Sequence, residues 1–138
     1  MSVETVLQFG HIGLSVTDLE KSRNFYGTIL GFEVMQESRE EGRKFLFLGD
    51  GTQVSLTLWQ EGDGHFNMKN PGLHHLAFKV DSMERVKKYQ QKLQKENITF
   101  EYSTIVPHGP GADSGGVFSY DPDGIRLEIF SLTGARDL

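Results

Sequence analysis

The stretches GHIGLSVTDLEKSRNFY (residues 10–26) and HHLAFKVDSMERVKKYQ (residues 74–90) follow one template. In each, a histidine precedes a short run of mostly small or apolar residues that ends in valine, and an aspartate and a segment with helical spacing follow. His11 in HIGLSV aligns with His75 in HLAFKV. Because an internal repeat indicates a repeated structural unit, the chain is expected to contain two copies of one module.

The composition is that of an ordinary globular protein. A chain of 138 residues can bury one real core and is short for two independent domains. The net charge of -5 includes no basic stripe, so nucleic acid is not an expected partner. No apolar run approaches a membrane span, and residues 1–10 lack a signal-peptide pattern, so we expect a cytoplasmic protein with no membrane partner. The absence of cysteine excludes thiolate metal sites.

Hydrophobic periodicity predicts the same order of elements in both copies. The first copy reads as a strand at 9–16, a helix capped by Asp18 and stopped at Gly31, and strands at 32–38, 44–48 and 52–59. The second reads as a strand at 74–80, a helix from Ser82 to about Glu96, and strands at 99–103, 116–120 and 126–130. The predicted class is therefore α+β, with two βαβββ modules at about 7–60 and 73–133 and a linker at about 61–72.

Neither module alone has enough sheet to cover its helix, so the two are expected to pack as a single domain, residues 1–138, with a cupped mixed sheet around a cleft. Strand alternation sorts the side chains by face. The apolar sets that should face the helices are Ile12, Leu14 and Val16, then Leu76, Phe78 and Val80, then Leu127 and Ile129. The opposite, cleft-facing set contains His11, His75 and Glu128, together with Ser55, Thr57, Trp59, Arg126 and Phe130.

Three segments carry a resemblance to a known family: HIGLSVTDLEKSRNFYGTILGFEV, LHHLAFKVDS and FSYDPDGIRLEIF. They resemble the vicinal oxygen chelate superfamily, also called the glyoxalase/bleomycin resistance/dioxygenase superfamily, over nearly the whole chain. The resemblance implies a divalent metal held by His11, His75 and Glu128. His75 is preferred to His74 because only His75 aligns with His11 and has the matching strand parity.

The predicted metal ligands favour some reactions of this superfamily over others. Glyoxalase I adds a fourth ligand, a Glu, and the matching position here is Ser55, which argues against a methylglyoxal–glutathione isomerase. Two histidines and one carboxylate form the ligand set of non-haem Fe(II) oxygenases, so Fe(II) is favoured, with Mn, Ni, Co or Zn as alternatives. The HH doublet and GPGADSGGVFSYDPDG also resemble extradiol ring-cleavage dioxygenases, which predicts a small aromatic diol as substrate. Such chemistry needs an acid/base, for which His108 or His74 is the candidate.

Two other functions remain open. A lyase, isomerase or thiol transferase would use the metal only to polarise vicinal oxygens, and a bleomycin-resistance-like protein would bind a small molecule without metal. The complete triad argues against the metal-free protein. Ser55, Thr57, Trp59, Arg126 and Phe130 are the expected substrate contacts, and the resemblance implies a homodimer. For His74 and His65, structural roles are sufficient. By strand parity His74 faces the helix, where it is expected to be hydrogen bonded, and His65 is expected to be a solvated loop residue.

Overall fold

The computed structural model of the protein describes residues 6–138 and divides into two compact units, Met1–Asp63 and Gly64–Leu138. Each unit contains one four-stranded sheet and one main helical segment. The prediction of an α+β fold with two βαβββ modules is therefore confirmed. The division falls inside the predicted linker at 61–72. That residues 1–138 form a single domain stays a prediction.

The first unit is built on a sheet with the strand order β1-β4-β3-β2. Its elements are β1 (Ile12–Ser15), the helix α1 (Leu19–Ser22) with a π-helical continuation (Arg23–Ile29), β2 (Glu33–Glu40), β3 (Arg43–Gly49) and β4 (Val54–Trp59). β1 is parallel to β4, and the other neighbours are antiparallel. The tight turns between β2, β3 and β4 suit antiparallel pairing, whereas the longer helical connection allows the parallel pair.

The helical segment of the first unit begins and ends as the sequence predicts. Oδ1 of Asp18 accepts hydrogen bonds from the backbone N–H groups of Glu20 and Lys21, at 3.0 and 3.2 Å. Gly31 follows the last turn with φ +92°, a conformation that favours glycine. The apolar side of this segment and one face of the sheet form the core, whose buried members include Leu14, Leu19, Phe25, Tyr26, Ile29, Leu46, Leu48, Leu56 and Leu58.

The second unit repeats the arrangement with the strand order β5-β8-β7-β6. Its elements are β5 (Leu76–Lys79), the helix α2 (Met83–Lys95), β6 (Val106–Pro107), β7 (Gly115–Tyr120), β8 (Arg126–Ser131) and a final 3-10 turn (Ala135–Asp137). Oγ of Ser82 caps α2 by accepting from the backbone of Arg85 at 3.3 Å. Leu76, Val117, Leu127 and Ile129 of the sheet and Val86 and Leu93 of α2 are buried in the core.

One predicted strand is wrong. Residues 99–103 make only a single bridge, between Phe100 and Ser119, and the strand next to β7 is Val106–Pro107 instead. Pairing with β7 does not extend beyond the backbone hydrogen bonds of Thr99 with Tyr120 and of Glu101 with Phe118, and residues 101–104 are all exposed. Within residues 6–138, neither helix has the length and apolar character that a membrane crossing requires.

Candidate functional site

A buried carboxylate marks the site in the second unit. Glu128 lies in β8 on the face opposite Leu127 and Ile129, and the residue is only 4% exposed. In the sheet it pairs with Ala77 of β5 and Phe118 of β7. A buried carboxylate is costly unless its oxygens are hydrogen bonded or paired with charge. The groups around Glu128 therefore define what the site can do.

His108 is the hydrogen-bond partner of this carboxylate. Its Nε2 lies 2.5 Å from Oε2 of Glu128, so the imidazole and the carboxyl group share one hydrogen bond. Its Nδ1 lies 2.9 Å from Oγ of Ser114, and its backbone N–H donates to the Ser114 carbonyl at 2.9 Å. Because a hydroxyl can donate or accept, Ser114 suits either protonation state of Nδ1. The glycine-rich loop at 109–113 is thus a closed hairpin that holds His108 at Glu128.

His75 approaches the same carboxylate from β5. It lies one residue before the strand, and its Nε2 is 3.7 Å from Oε1 of Glu128. Its Nδ1 is 2.8 Å from Nδ1 of His74, and Nε2 of His74 is 2.9 Å from Nη2 of Arg126. Because a guanidinium can only donate, His74 accepts from Arg126. His74 therefore has the hydrogen-bonded role that was expected.

The expectation that His74 faces the helix is wrong. Its side chain meets Arg126, which lies two residues before Glu128 on the same face of β8. The physical reason is that His74 precedes β5, so the alternation of a strand does not fix the direction of its side chain. The consequence is a continuous series of polar contacts from Arg126 through His74 and His75 to Glu128.

Gly116 makes room for the carboxylate. A Cβ atom at this position would lie 2.9 Å from Oε2 of Glu128, 2.6 Å from the Ile129 carbonyl oxygen and 2.8 Å from Cβ of Phe130. Gly116 pairs with Phe130 across β7 and β8, on the face that carries Glu128. Position 116 therefore requires glycine, because the Ile129 carbonyl and the Glu128 carboxylate approach its backbone closely. Any side chain there would displace Glu128.

The two predicted substrate contacts on β8 flank Glu128. The Arg126 side chain is 13% exposed, and its Nη1 is 3.9 Å from Oε1 of Glu101. Its Nε is buried and has no hydrogen-bond partner among residues 6–138. The Phe130 ring lies 5.3 Å from the His108 ring, centroid to centroid. Contact of Arg126 and Phe130 with a substrate stays a prediction.

The remaining predicted site residues belong to the first unit. His11 is exposed and lies one residue before β1, as His75 does before β5. Ser55 is half-buried, and Thr57 is 4% exposed and accepts a hydrogen bond from Nε1 of Trp59 at 3.1 Å. The Trp59 ring packs 5.1 Å from the Phe45 ring, in a cluster that also includes Phe47. A substrate-binding role for Ser55, Thr57 and Trp59 stays a prediction.

Strand register corrects one correspondence between the modules. Ile12 pairs with Leu56 in the first unit, and Leu76 pairs with Leu127 in the second. One residue further, Gly13 pairs with Thr57, and Ala77 pairs with Glu128. The first-module counterpart of Glu128 is therefore Thr57 and not Ser55. Since neither residue is a carboxylate, the departure from the glyoxalase I pattern remains.

The donor set at Glu128 fits a divalent ion. Nε2 of His75 lies 3.7 Å from Oε1 of the buried carboxylate, and imidazole and carboxylate suit Fe, Zn, Mn, Ni and Co. Within residues 6–138 there is no group of three or more His, Asp or Glu side chains already arranged to hold a metal. The participation of His11 stays a prediction.

Sequence reasoning missed several members of this network. It left His108 undecided, and it did not identify Ser114, Gly116 or the contact of His74 with Arg126. The hydrogen bond from the Tyr120 hydroxyl to the Glu101 carboxylate was missed as well. Pairing the segment PHGPGADSGG as a hairpin would have placed Ser114 opposite His108. Side-chain contacts such as Arg126 with His74, 52 residues apart, leave no local signal.

A family sequence model and several relatives match the chain. The model of the Glyoxalase/Bleomycin resistance protein/Dioxygenase superfamily covers residues 8–129. A trivalent organoarsenical cleaving enzyme from Bacillus sp. (strain MD1) is 30% identical over 124 residues, which are 90% of this chain and 73% of that protein. Glyoxalase 1 from Caenorhabditis briggsae is 30% identical over 92% of this chain and 43% of its own length.

Two further similarities concern a dioxygenase and a solved structure. Catechol-2,3-dioxygenase from Bacillus subtilis is 24% identical over 94% of this chain and 43% of that enzyme. The crystal structure of a glyoxylase/bleomycin resistance protein/dioxygenase domain from Frankia sp. EAN1pec superposes with a TM-score of 0.77. That domain is 25% identical, and the match covers 92% of this chain and 98% of the domain. The names of the three sequence relatives state different reactions.

Proposed function

This chain belongs to the glyoxalase/bleomycin resistance protein/dioxygenase superfamily, and we propose that it is a divalent-metal-dependent enzyme acting on a small aromatic diol. Its reaction, under this proposal, is extradiol ring cleavage. The observation that carries the proposal is the buried Glu128 carboxylate with His108 Nε2 at 2.5 Å and His75 Nε2 at 3.7 Å. A site of this kind offers nitrogen and oxygen donors in a partly desolvated setting.

His75 and Glu128 are the proposed metal ligands in the second unit, and His11 is the third ligand predicted from the sequence. A divalent ion held by these residues would supply a Lewis acid that polarises the two adjacent oxygens of a diol. Fe(II) is the favoured ion, because two histidines and a carboxylate form the ligand set of non-haem iron oxygenases. His74 would hold the ring direction of His75 through the contact between their Nδ1 atoms, since outer hydrogen bonds orient a ligating histidine.

His108 is the proposed acid/base. A diol must lose a proton to bind through both oxygens, and an imidazole titrates in the range where it can accept that proton near neutral pH. Ser114 would hold the His108 ring in place through Nδ1 while Nε2 exchanges the proton. In ring cleavage, both atoms of O₂ enter the product while the carbon–carbon bond beside the diol breaks, so no external reductant is needed.

The relatives favour a second candidate, a redox-neutral reaction on vicinal oxygens. The similarity to Glyoxalase 1 supports it, although Thr57 stands where a fourth carboxylate ligand would be expected. The trivalent organoarsenical cleaving enzyme is equally similar, at 30% identity, but we do not propose organoarsenical cleavage for this chain. Trivalent arsenic prefers soft thiolate ligands, and the chain contains no cysteine.

Metal content is the first test. Protein purified without chelators should contain about one divalent ion per chain. Replacing Glu128 by Gln should empty the site, whereas replacing Glu84, an exposed residue in the first turn of α2, should not. Wild-type protein that stays empty after supplementation with Fe(II), Mn(II), Ni(II), Co(II) and Zn(II) would contradict metal dependence and favour the metal-free binding protein.

Oxygen uptake separates the two enzymatic candidates. Fe(II)-loaded protein in an oxygen-electrode cell should consume one O₂ per diol cleaved, and the His108→Gln variant should slow the reaction by about 100-fold or more. Diol consumption without oxygen uptake would favour the redox-neutral candidate. The small-molecule substrate class, the homodimer and the cytoplasmic location stay predictions.

A further inference from the structure

A pocket lies in the second unit, and the groups that contact Glu128 are not part of its lining. Its volume is about 650 Å³, which is within the range of small-molecule sites. It lies where β7 ends and the turn to β8 begins, and its lining includes Phe66, Asn67, Met68, Lys69, Thr99 and Tyr120. His75, His108 and Glu128 are not among the residues that line it.

The wall of the pocket formed by residues 65–69 is anchored. The backbone N–H of Phe66 donates to the Asp123 carbonyl at 2.9 Å, and Oδ1 of Asn67 accepts from the backbone of Lys69 at 2.9 Å. The His65 ring lies against Gly124, where an added Cβ would collide with it. His65 is exposed and lies in a loop, as expected from the sequence, and its ring also packs on Gly124.

The lining of the pocket combines apolar side chains, one positive charge and hydrogen-bond donors, a combination that suits an aromatic anion. Phe66 and Met68 offer apolar surfaces, and both side-chain types make favourable contacts with an aromatic ring. Lys69 supplies a positive charge, and Asn67 and Thr99 offer hydrogen-bond donors. No Asp or Glu is among the described residues that line the pocket, although the whole chain has a net charge of -5.

Glu101 is the carboxylate that neighbours the pocket, and its charge is paired. It accepts a hydrogen bond from the hydroxyl of Tyr120, and its Oε1 is 3.9 Å from Nη1 of Arg126. Its repulsion of an anion in the pocket is therefore reduced.

We propose that this pocket binds a small aromatic carboxylate, with Lys69 as the residue that selects for the negative charge. The ring would lie against Phe66 and Met68, and the carboxylate would meet Lys69. The proposal does not depend on metal chemistry at Glu128, since none of the proposed metal ligands lines the pocket.

The test is a titration of the full-length protein with benzoate, followed by the backbone amide signals in ¹H–¹⁵N NMR spectra. We expect saturable shifts confined to residues 65–69 and the neighbourhood of Tyr120. Benzyl alcohol, the neutral analogue, should bind about three- to five-fold more weakly, as expected for loss of one partly exposed charge pair. No saturable shift, or equal binding of the two probes, would overturn the proposal.

Variants identify the residue responsible. Lys69→Gln should weaken benzoate binding by about the same three- to five-fold and leave benzyl alcohol binding unchanged. Lys69→Arg should retain benzoate binding because it keeps the charge, and Lys88→Gln, on the exposed surface of α2, should match the wild type. The dispersion of each variant's spectrum reports its folding. Unchanged benzoate binding in a folded Lys69→Gln variant would rule out Lys69 as the selecting residue.

Discussion

Nε2 of His108 lies 2.5 Å from Oε2 of Glu128, although 20 residues separate the two in the chain. The carboxylate is buried in β8, and the imidazole is held from its other side by Ser114. The imidazole of His108 is thus in direct contact with the carboxylate of Glu128, a side-chain type that binds metal ions. It joins the predicted acid/base to the predicted ligand within one unit.

The Glu128→Gln substitution should abolish metal retention. The amide keeps the size of the side chain but removes the charge that an ion and His108 require. We expect the apparent affinity for Fe(II) or Mn(II) to fall by about 100-fold or more, beyond the 10- to 100-fold typical of outer-sphere changes. Competition with a chromophoric chelator measures this. An affinity equal to that of the Glu84→Gln control would contradict the assignment of Glu128 as a ligand.

The His74→Gln substitution should weaken metal binding without abolishing it. His74 links Arg126 to Nδ1 of His75, so its loss frees the His75 ring to rotate. An outer partner of this kind contributes about 10-fold or somewhat more to metal affinity. The same chelator competition applies, with His65→Gln as the matched control because His65 packs on Gly124 instead. If both variants bind metal like the wild type, His74 has no positioning role.

The Gly116→Ala substitution should destabilise the fold and disturb Glu128 together. The new methyl group would meet the Ile129 carbonyl oxygen at 2.6 Å and Oε2 of Glu128 at 2.9 Å. Overpacking of this kind costs about 1–3 kcal/mol in the free energy of unfolding. Urea denaturation measures that cost. Gly109→Ala is the control, because nothing lies within 4 Å of its Cβ position, and an equal loss in both variants would show that the close approach at Gly116 does not matter.

The stabilising contribution of Tyr120 should disappear at alkaline pH. The hydrogen bond to Glu101, and then burial, raise the pKa of Tyr120 above its ordinary value of 10.0. A raised pKa means that the folded state holds the phenol proton more tightly than the unfolded state does. The stabilisation is therefore complete below the unfolded pKa and is lost as the pH rises through the folded pKa.

Comparison of the wild type with Tyr120→Phe tests this dependence. At pH 7 the variant should be less stable by about 1 kcal/mol, the usual net value of one hydrogen bond. The difference in the free energy of unfolding should shrink in denaturation series taken above about pH 10. A difference that stays constant from pH 7 to pH 11 would show that the phenol proton does not contribute.

Much of the fold was predictable because its causes are local. The repeat around His11 and His75 gave the two modules, and Asp18 and Gly31 gave the limits of the first helix. Alternation along β8 placed Glu128 on the face opposite Leu127 and Ile129, as the structure has it. The predicted strand at 99–103 is wrong because strand pairing depends on the packing of a partner surface, which local β propensity does not describe.

The sequence by itself determined the family, the α+β modules and the identity of the groups that can bind metal, because repeats, periodicity and residue chemistry are properties of the chain alone. Only the tertiary structure decided that His108 meets Glu128, that His74 turns to Arg126, and that Thr57 is the counterpart of Glu128. Those relationships depend on strand register and on hairpin closure, which bring together residues far apart in sequence. Register is fixed by the packing of whole faces, so no single segment of the sequence encodes it.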